Sequence, residues 1–185
     1  VERGFATYLG SIPHLRRADV GPELLRKAGH LHVGSYYLLR ALRPEVGDLF
    51  AEAKRLGLTI SVDPGWDEEG AWGRDLVSVL PRVDVFLPNE AEAMMIAGAG
   101  TAEQALQFLG ERARTVVIKR GGQGCLVGQG EETFACPAFP VPVVDVTSAG
   151  DVFNAGFLYT WLAGGTLRQA ARFANACGAI AVSRV

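Results

Sequence analysis

The reading of the fold turns on the stretch Val141-Pro142-Val143-Val144-Asp145-Val146-Thr147-Ser148-Ala149-Gly150-Asp151-Val152-Phe153-Asn154-Ala155-Gly156-Phe157. Its first half is rich in valine and predicts a strand over Val141 to Val146, and its second half opens an apolar helix from Ala149 to Ala163. A strand that enters a helix through small residues leaves the first N–H groups of the helix without partners, so the turn suits an anion or a developing negative charge. Ala149 and Gly150 let a ligand approach the backbone. Asp151 then stands beside that position with an acceptor oxygen, the arrangement needed to take a proton from a hydroxyl that attacks a phosphoryl group. A second reading stays open, because Ser148 followed three residues later by Asp151 also has the spacing of a helix capping box.

Upstream of this stretch, apolar runs of strand length alternate with segments of 3.6-residue period, which predicts an α/β fold of successive βα units around a mostly parallel sheet. The strands are expected at Phe5–Leu9, Leu31–Gly34, Leu58–Val62, Val83–Leu87, Thr115–Ile118, Cys125–Gly128 and Thr133–Cys136, with the last two forming a hairpin around Gly128, Gln129 and Gly130. The clearest helix is Pro44–Leu56, where Pro44 takes the first position, Val46, Leu49, Phe50, Ala53 and Leu56 share a face, and Gly57 follows. Further helices are expected at Pro22–Ala28, Asp75–Leu80, Glu90–Ala97, Ala102–Arg114 and Leu167–Val185. The chain opens on Val1 without an initiator Met and closes inside a helical pattern without a stop signal, so it reads as part of a longer polypeptide.

In open α/β sheets, ligands gather beyond the carboxyl ends of the strands. Three more strand ends carry chemistry. Asn89-Glu90-Ala91-Glu92 reads either as an N-cap with its reciprocal partner or as an amide and a carboxylate suited to a hydrated Mg²⁺. Lys119-Arg120-Gly121-Gly122-Gln123-Gly124 reads as a hairpin turn or as a lysine reaching nucleotide phosphates beside glycines that admit them; it is neither a P-loop nor a dinucleotide fingerprint. Asp63-Pro64-Gly65-Trp66 ends another strand, and Trp66 and Trp72 are expected to pack. His30 and His32 face one side of their strand without a third metal ligand nearby, so core or hydrogen-bonded histidines are expected.

Composition excludes several classes. With 185 residues, 49% hydrophobic and 21% charged, the chain has the profile of a globular domain. Lys and Arg number 18 against 20 Asp and Glu, so no basic excess favours nucleic acid or an anionic membrane. The longest nearly apolar stretch, Val152–Leu167, is broken by Asn154 and glycines and falls short of the ~20 residues of a membrane span. Cys125, Cys136 and Cys177 form no CxxC pair, as expected of a reducing, cytoplasmic setting.

In this order, the motifs resemble those of the ribokinase-like (phosphofructokinase-B type) carbohydrate kinases. The family's Asp-Thr-Thr-Gly-Ala-Gly-Asp signature, continued by Ala/Phe-x-x-Gly-Phe, is matched by Asp145 to Phe157; its Asn-x-x-Glu by Asn89 and Glu92; its Thr/Lys-x-Gly-x-x-Gly by Lys119, Gly121 and Gly124. The resemblance implies a three-layer α/β/α, Rossmann-like fold and an ATP-dependent phosphorylation of a sugar hydroxyl, with ATP and Mg²⁺ as cofactors. It implies Asp151 as catalytic base, the backbone of Ala149, Gly150 and Asp151 as anion hole, and Asn89 with Glu92 as the organisers of Mg²⁺. Asp145 and Thr147 fall where the family builds a monovalent-cation (K⁺) site, and Lys119, Gly121, Gly124, Ser148 and Asn175 fall along the nucleotide. Residues 1–185 then correspond to the nucleotide-binding and catalytic part of one such domain, without its amino-terminal lid and sugar-binding segment. The implied partner is a small sugar, with a homodimer open to the full-length protein. Nucleoside kinases, vitamin kinases and non-catalytic nucleotide-binding relatives remain as alternatives. Ser148 stands in place of the signature's first Gly and Val146 in place of its first Thr, which touches the cation site more than the base.

Overall fold

The computed structural model describes residues 8–184. They divide at Val83/Asp84 into two compact units, Val1–Val83 and Asp84–Val185. The expected strand Phe5–Leu9 lies largely outside the described residues, and Tyr8 and Leu9 belong to no strand.

The first unit carries α1 (Pro22–Leu25), β1 (His30–Val33), α2 (Val46–Arg55), β2 (Thr59–Val62) and α3 (Arg74–Val79). The strands β1 and β2 pair in parallel, His30 opposite Thr59 and Val33 opposite Val62. The periodic face read in the sequence is the buried one: Val46, Leu49, Phe50 and Ala53 are all within the core, with Pro44 in a short 3₁₀ turn that leads into α2. Both histidines are hydrogen-bonded as expected. His30 meets the Thr59 and Ser61 hydroxyls at 2.7 and 2.8 Å, and His32 meets Ser61 at 2.7 Å.

A polar knot holds α3 in this unit. The Arg43 Nε and the Tyr36 hydroxyl both donate to one oxygen of Asp75, at 2.9 and 3.1 Å, while the guanidinium lies over the rings of Tyr36 and Tyr37. Trp72 packs edge-on against Tyr37 and Trp66. Burial alone raises the Asp75 carboxyl, but the hydrogen bond and charge of Arg43 outweigh it and hold the group below its ordinary value. Burial and the Asp75 charge push the Tyr36 phenol up, so it stays a donor.

The second unit carries β3 (Val85–Phe86), α4 (Glu90–Ala97), α5 (Ala102–Gly110), β4 (Thr115–Lys119), β5 (Cys125–Gln129), β6 (Glu132–Cys136), α6 (Ala149–Leu162) and α7 (Leu167–Val182). The strands β3 and β4 are parallel, and β4, β5 and β6 are antiparallel neighbours. Alternation along these strands sends Val85, Leu87, Val117, Cys125 and Val127 to one face, where Phe153, Phe157 and Leu158 of α6 and Ala170, Ala171 and Ala174 of α7 close on them. The opposite face carries α4 and α5, with Leu106 seated over Gly128. This is the three-layer order that the family resemblance implied. Gly156 lets α6 and α7 approach, since a Cβ there would lie 2.9 Å from the Cys177 sulfur. Among the described residues no helix is long and apolar enough to cross a membrane.

Several sequence expectations are corrected. Val141–Val146 is no strand: it is exposed, irregular chain, with Val143 and Val144 more than half accessible. Pro142 removes an N–H donor from the run and Pro140 another just before it, so β propensity cannot be turned into a ladder. The hairpin turn is Gly130-Glu131, one residue further on than read, because Gln129 still pairs with Glu132. The helices α1, α5 and α7 end earlier than expected, at Leu25, Gly110 and Val182.

The depressed Asp75 value fixes a sign. The stabilisation is complete above the unfolded Asp range and is lost as pH falls through the folded value. Asp75→Asn should therefore melt lower than the parent at neutral pH and show a flatter acid limb, as followed by circular dichroism from pH 7 to pH 2.5.

Candidate active site

Two strand ends lie side by side in the second unit. Lys119, the last residue of β4, donates its backbone N–H to the Pro88 carbonyl at 2.9 Å and forms a parallel bridge with Asn89, just beyond β3. Asn89 begins α4 with both halves of a capping box: its side-chain oxygen accepts from the Glu92 N–H at 2.8 Å, and Glu92 Oε2 accepts from the Asn89 N–H at 2.7 Å. The capping alternative at this motif is thus formed, and it seats the Glu92 carboxylate, 6% accessible, at the strand ends.

Among the described residues no group of three or more His, Cys, Asp or Glu is placed around a common metal position. A donor set of one amide and one carboxylate, both already hydrogen-bonded, fits a magnesium ion that keeps most of its water, and not one stripped into a protein cage.

At the start of α6 the outcome is the reverse. Ser148 takes a left-handed conformation, φ +57° and ψ +8°, and its side chain makes no capping bond. The capping alternative for Ser148 and Asp151 is therefore not formed. Helices α4, α5 and α7 are capped by Asn89, Thr101 and Thr166, whereas α6 opens with no side-chain cap. The Ala149 N–H turns back to the Val146 carbonyl at 3.3 Å. The outward amides of this turn are then those of Gly150 and Asp151. Asp151 is exposed in the first turn. Asp145 Oδ1 accepts from both the N–H and the hydroxyl of Thr147, at 2.9 and 2.8 Å, which closes the loop that precedes Ser148.

The Lys119 side chain reaches this turn. Its Nζ donates to Asn154 Oδ1 at 3.2 Å and lies 3.7 Å from the place a Cβ on Gly150 would occupy. Arg120 points elsewhere, toward Glu90 at 2.9 Å and Glu103 at 3.5 Å. Gly121 to Gln123 form a 3₁₀ turn, and Gly124 closes it at φ +87°. Any Cβ on Gly124 would lie 2.0 Å from the Cys136 carbonyl, so only glycine lets β5 start beside the end of β6. Asn175 secures the same corner: its amide donates to the carbonyls of Cys136 and Pro137 at 3.0 and 3.2 Å, and to the Cys125 sulfur at 3.8 Å. Burial and the adjacent Cys136 thiol push Cys125 up to about 12, so it remains a protonated core thiol.

The structure thus gathers Asn89, Glu92, Lys119, Asp145, Thr147 and Ser148 to Asp151 around two strand ends and one helix start, and ties Gly124 and Asn175 into the supporting corner. Sequence reasoning missed Asn154. The signal was present as an amide between Phe153 and Phe157 on an apolar helix, four residues after Gly150 and hence on its face.

A family model described as pfkB family carbohydrate kinase matches residues 1–185. The chain belongs to that family. Among the curated relatives, an ATP-dependent ribose-1-phosphate kinase of Halopiger xanaduensis is 34% identical over 89% of this chain and 54% of its own length. A cytidine kinase of Thermococcus kodakarensis is 35% identical over 93% of this chain and 59% of its own length. The chain therefore spans little more than half the length of these relatives. A crystal structure of a candidate ribokinase II from E. coli in complex with ATP and Mg²⁺ superimposes with a TM-score of 0.83 at 30% identity, over 93% of this chain and 58% of the other. The α/β fold is ribokinase-like.

The space beside Gly150 generates a test. A methyl group there meets only ordinary van der Waals distance, and alanine favours helix by up to about 1 kcal/mol over glycine. Gly150→Ala should melt at or above the parent temperature while losing nucleotide affinity measured by isothermal titration. Unchanged affinity in a stable variant would remove the α6 turn from the site.

Proposed function

We propose that this chain is the nucleotide-binding and catalytic part of an ATP-dependent kinase that moves a γ-phosphoryl group to a hydroxyl of a small sugar, with no nucleic acid partner and in the cytoplasm. The observation that carries this is the start of α6, which has no side-chain cap, exposes Asp151 in its first turn and has the Lys119 ammonium alongside Gly150. Oriented amides and a fixed cation at one turn oppose the negative charge of a phosphoryl group in flight, and they need no rearrangement when that charge moves.

In this reading Asp151 receives the acceptor hydroxyl's proton as the new O–P bond forms. The Gly150 and Asp151 amides hold the phosphoryl oxygens, and the Lys119 ammonium beside Gly150 opposes their charge. Asn89 and Glu92 would hold Mg²⁺ through its water shell; when bound, the ion neutralises phosphate charge. The K⁺ site implied for the Asp145 to Thr147 loop belongs to the same proposal, as do a homodimer of the full-length protein and an amino-terminal segment that selects the sugar.

A nucleoside acceptor is the second reading, favoured by the cytidine kinase relative at 35% identity. Ribose, fructose, 2-keto-3-deoxygluconate and cytidine tested in an ADP-release assay with the full-length protein separate the two.

Asp151→Asn should keep nucleotide affinity within a few fold and lower kcat by ~10²–10⁴, the usual loss for a general base. Near-parental turnover in this variant would overturn the assignment of the base.

A further inference from the structure

Asn154 is a polar side chain in an apolar place. It is 3% accessible and lies between Phe153 and Phe157, both of which join the core under α6. A buried amide is costly unless bonded, and an apolar residue would fill the same volume without that cost. Its oxygen accepts from the Lys119 ammonium at 3.2 Å, across 35 residues of sequence.

The location of that ammonium is the unusual part. Gly150 and Asn154 are four residues apart and stack on one face of α6, and Lys119 spans both, with Nζ 3.7 Å from a Gly150 Cβ position. The amino end of a helix carries partial positive charge, so a cation is electrostatically out of place there. Asn154 binds the ammonium without cancelling its charge, since an amide oxygen carries no net charge. A helix start and a cation held together in this way have a shared complement, a multiply charged phosphate group.

We propose that Asn154 is a positioning residue, which holds the Lys119 ammonium against the first turn of α6 so that both meet the terminal phosphate of a nucleoside triphosphate. This deepens the kinase reading and rests on it. It makes the preference for a triphosphate over a diphosphate depend on a buried amide that touches no ligand.

The test uses the full-length protein with Mg²⁺ and no acceptor, and measures ATP and ADP affinities by isothermal titration beside thermal melts. Asn154→Ala should lower ATP affinity about tenfold, the size of one charge-assisted contact, and lower ADP affinity less. Asn154→Asp is isosteric and keeps an acceptor for Lys119, so it guards against a folding failure; its carboxylate should cancel the cation and lower the ATP-to-ADP preference at least as far. In a Lys119→Met background neither change should reduce that preference further. A folded Asn154→Asp with the parental ATP-to-ADP ratio, or losses that simply add to those of Lys119→Met, would overturn the proposal. Its failure is distinct from failure of the kinase reading, which would show as absent ATP binding or absent acceptor-dependent ADP release by the parent protein.

Discussion

One backbone hydrogen bond, from the Lys119 N–H to the Pro88 carbonyl, sets the lateral spacing on which the second unit's chemistry depends. It continues the β3–β4 parallel pairing past the end of β3 to the last residue of β4, so two segments 30 residues apart in sequence leave the sheet as neighbours. Asn89 then begins α4 and Lys119 enters the glycine turn from adjacent positions. Because the pair is parallel, both exits point the same way, and polar groups that would be buried within the layers are carried to an edge where they have partners.

Two of the helix starts in this unit, at α4 and α6, solve one problem in opposite ways. Each has amides that cannot be satisfied inside the helix. At α4 the reciprocal Asn89 and Glu92 bonds satisfy them internally, giving a stiff start that fixes a carboxylate. At α6 a left-handed Ser148 makes no side-chain bond to the amides. A non-glycine residue held in that region stores on the order of 1–2 kcal/mol, and such strain persists where surrounding structure over-determines it. The α6–α7 packing against the sheet supplies that determination, with Phe157 fully buried and Gly156 in contact with α7.

The sequence made some of this legible and left the rest hidden for definable reasons. The helix α4 is found with its observed bounds because an N-cap, its reciprocal partner and an apolar run coincide in ten residues. Spacing alone could not say which motif forms a cap: Asn89 and Glu92 make the reciprocal capping bonds, while Ser148 and Asp151, at the same spacing, do not, because backbone conformation at the first residue decides. The Val141–Val146 run was misread since side-chain propensity speaks for a strand while Pro142 within it and Pro140 before it withdraw donors a strand needs. The pair Lys119 and Asn154 was invisible because its members sit on different elements, and only the docking of α6 over β4 and β5 brings an amide chosen for one neighbour within reach of it.

The irregular segment before α6 has a further consequence. Lacking strand partners, it is anchored at the far side by a helix end: the N–H groups of Val144 and Asp145 both donate to the Val182 carbonyl, in the last turn of α7. Helix ends fray more readily than any other regular structure, and fraying is ordinarily a local event. Here it is not local. When the last turn of α7 opens, the strap loses its hold, and the slack passes through Asp145 and Thr147 to the backbone of Ser148. The precision of the turn that faces a phosphate is thus leased from the order of a helix terminus some 35 residues later in the chain.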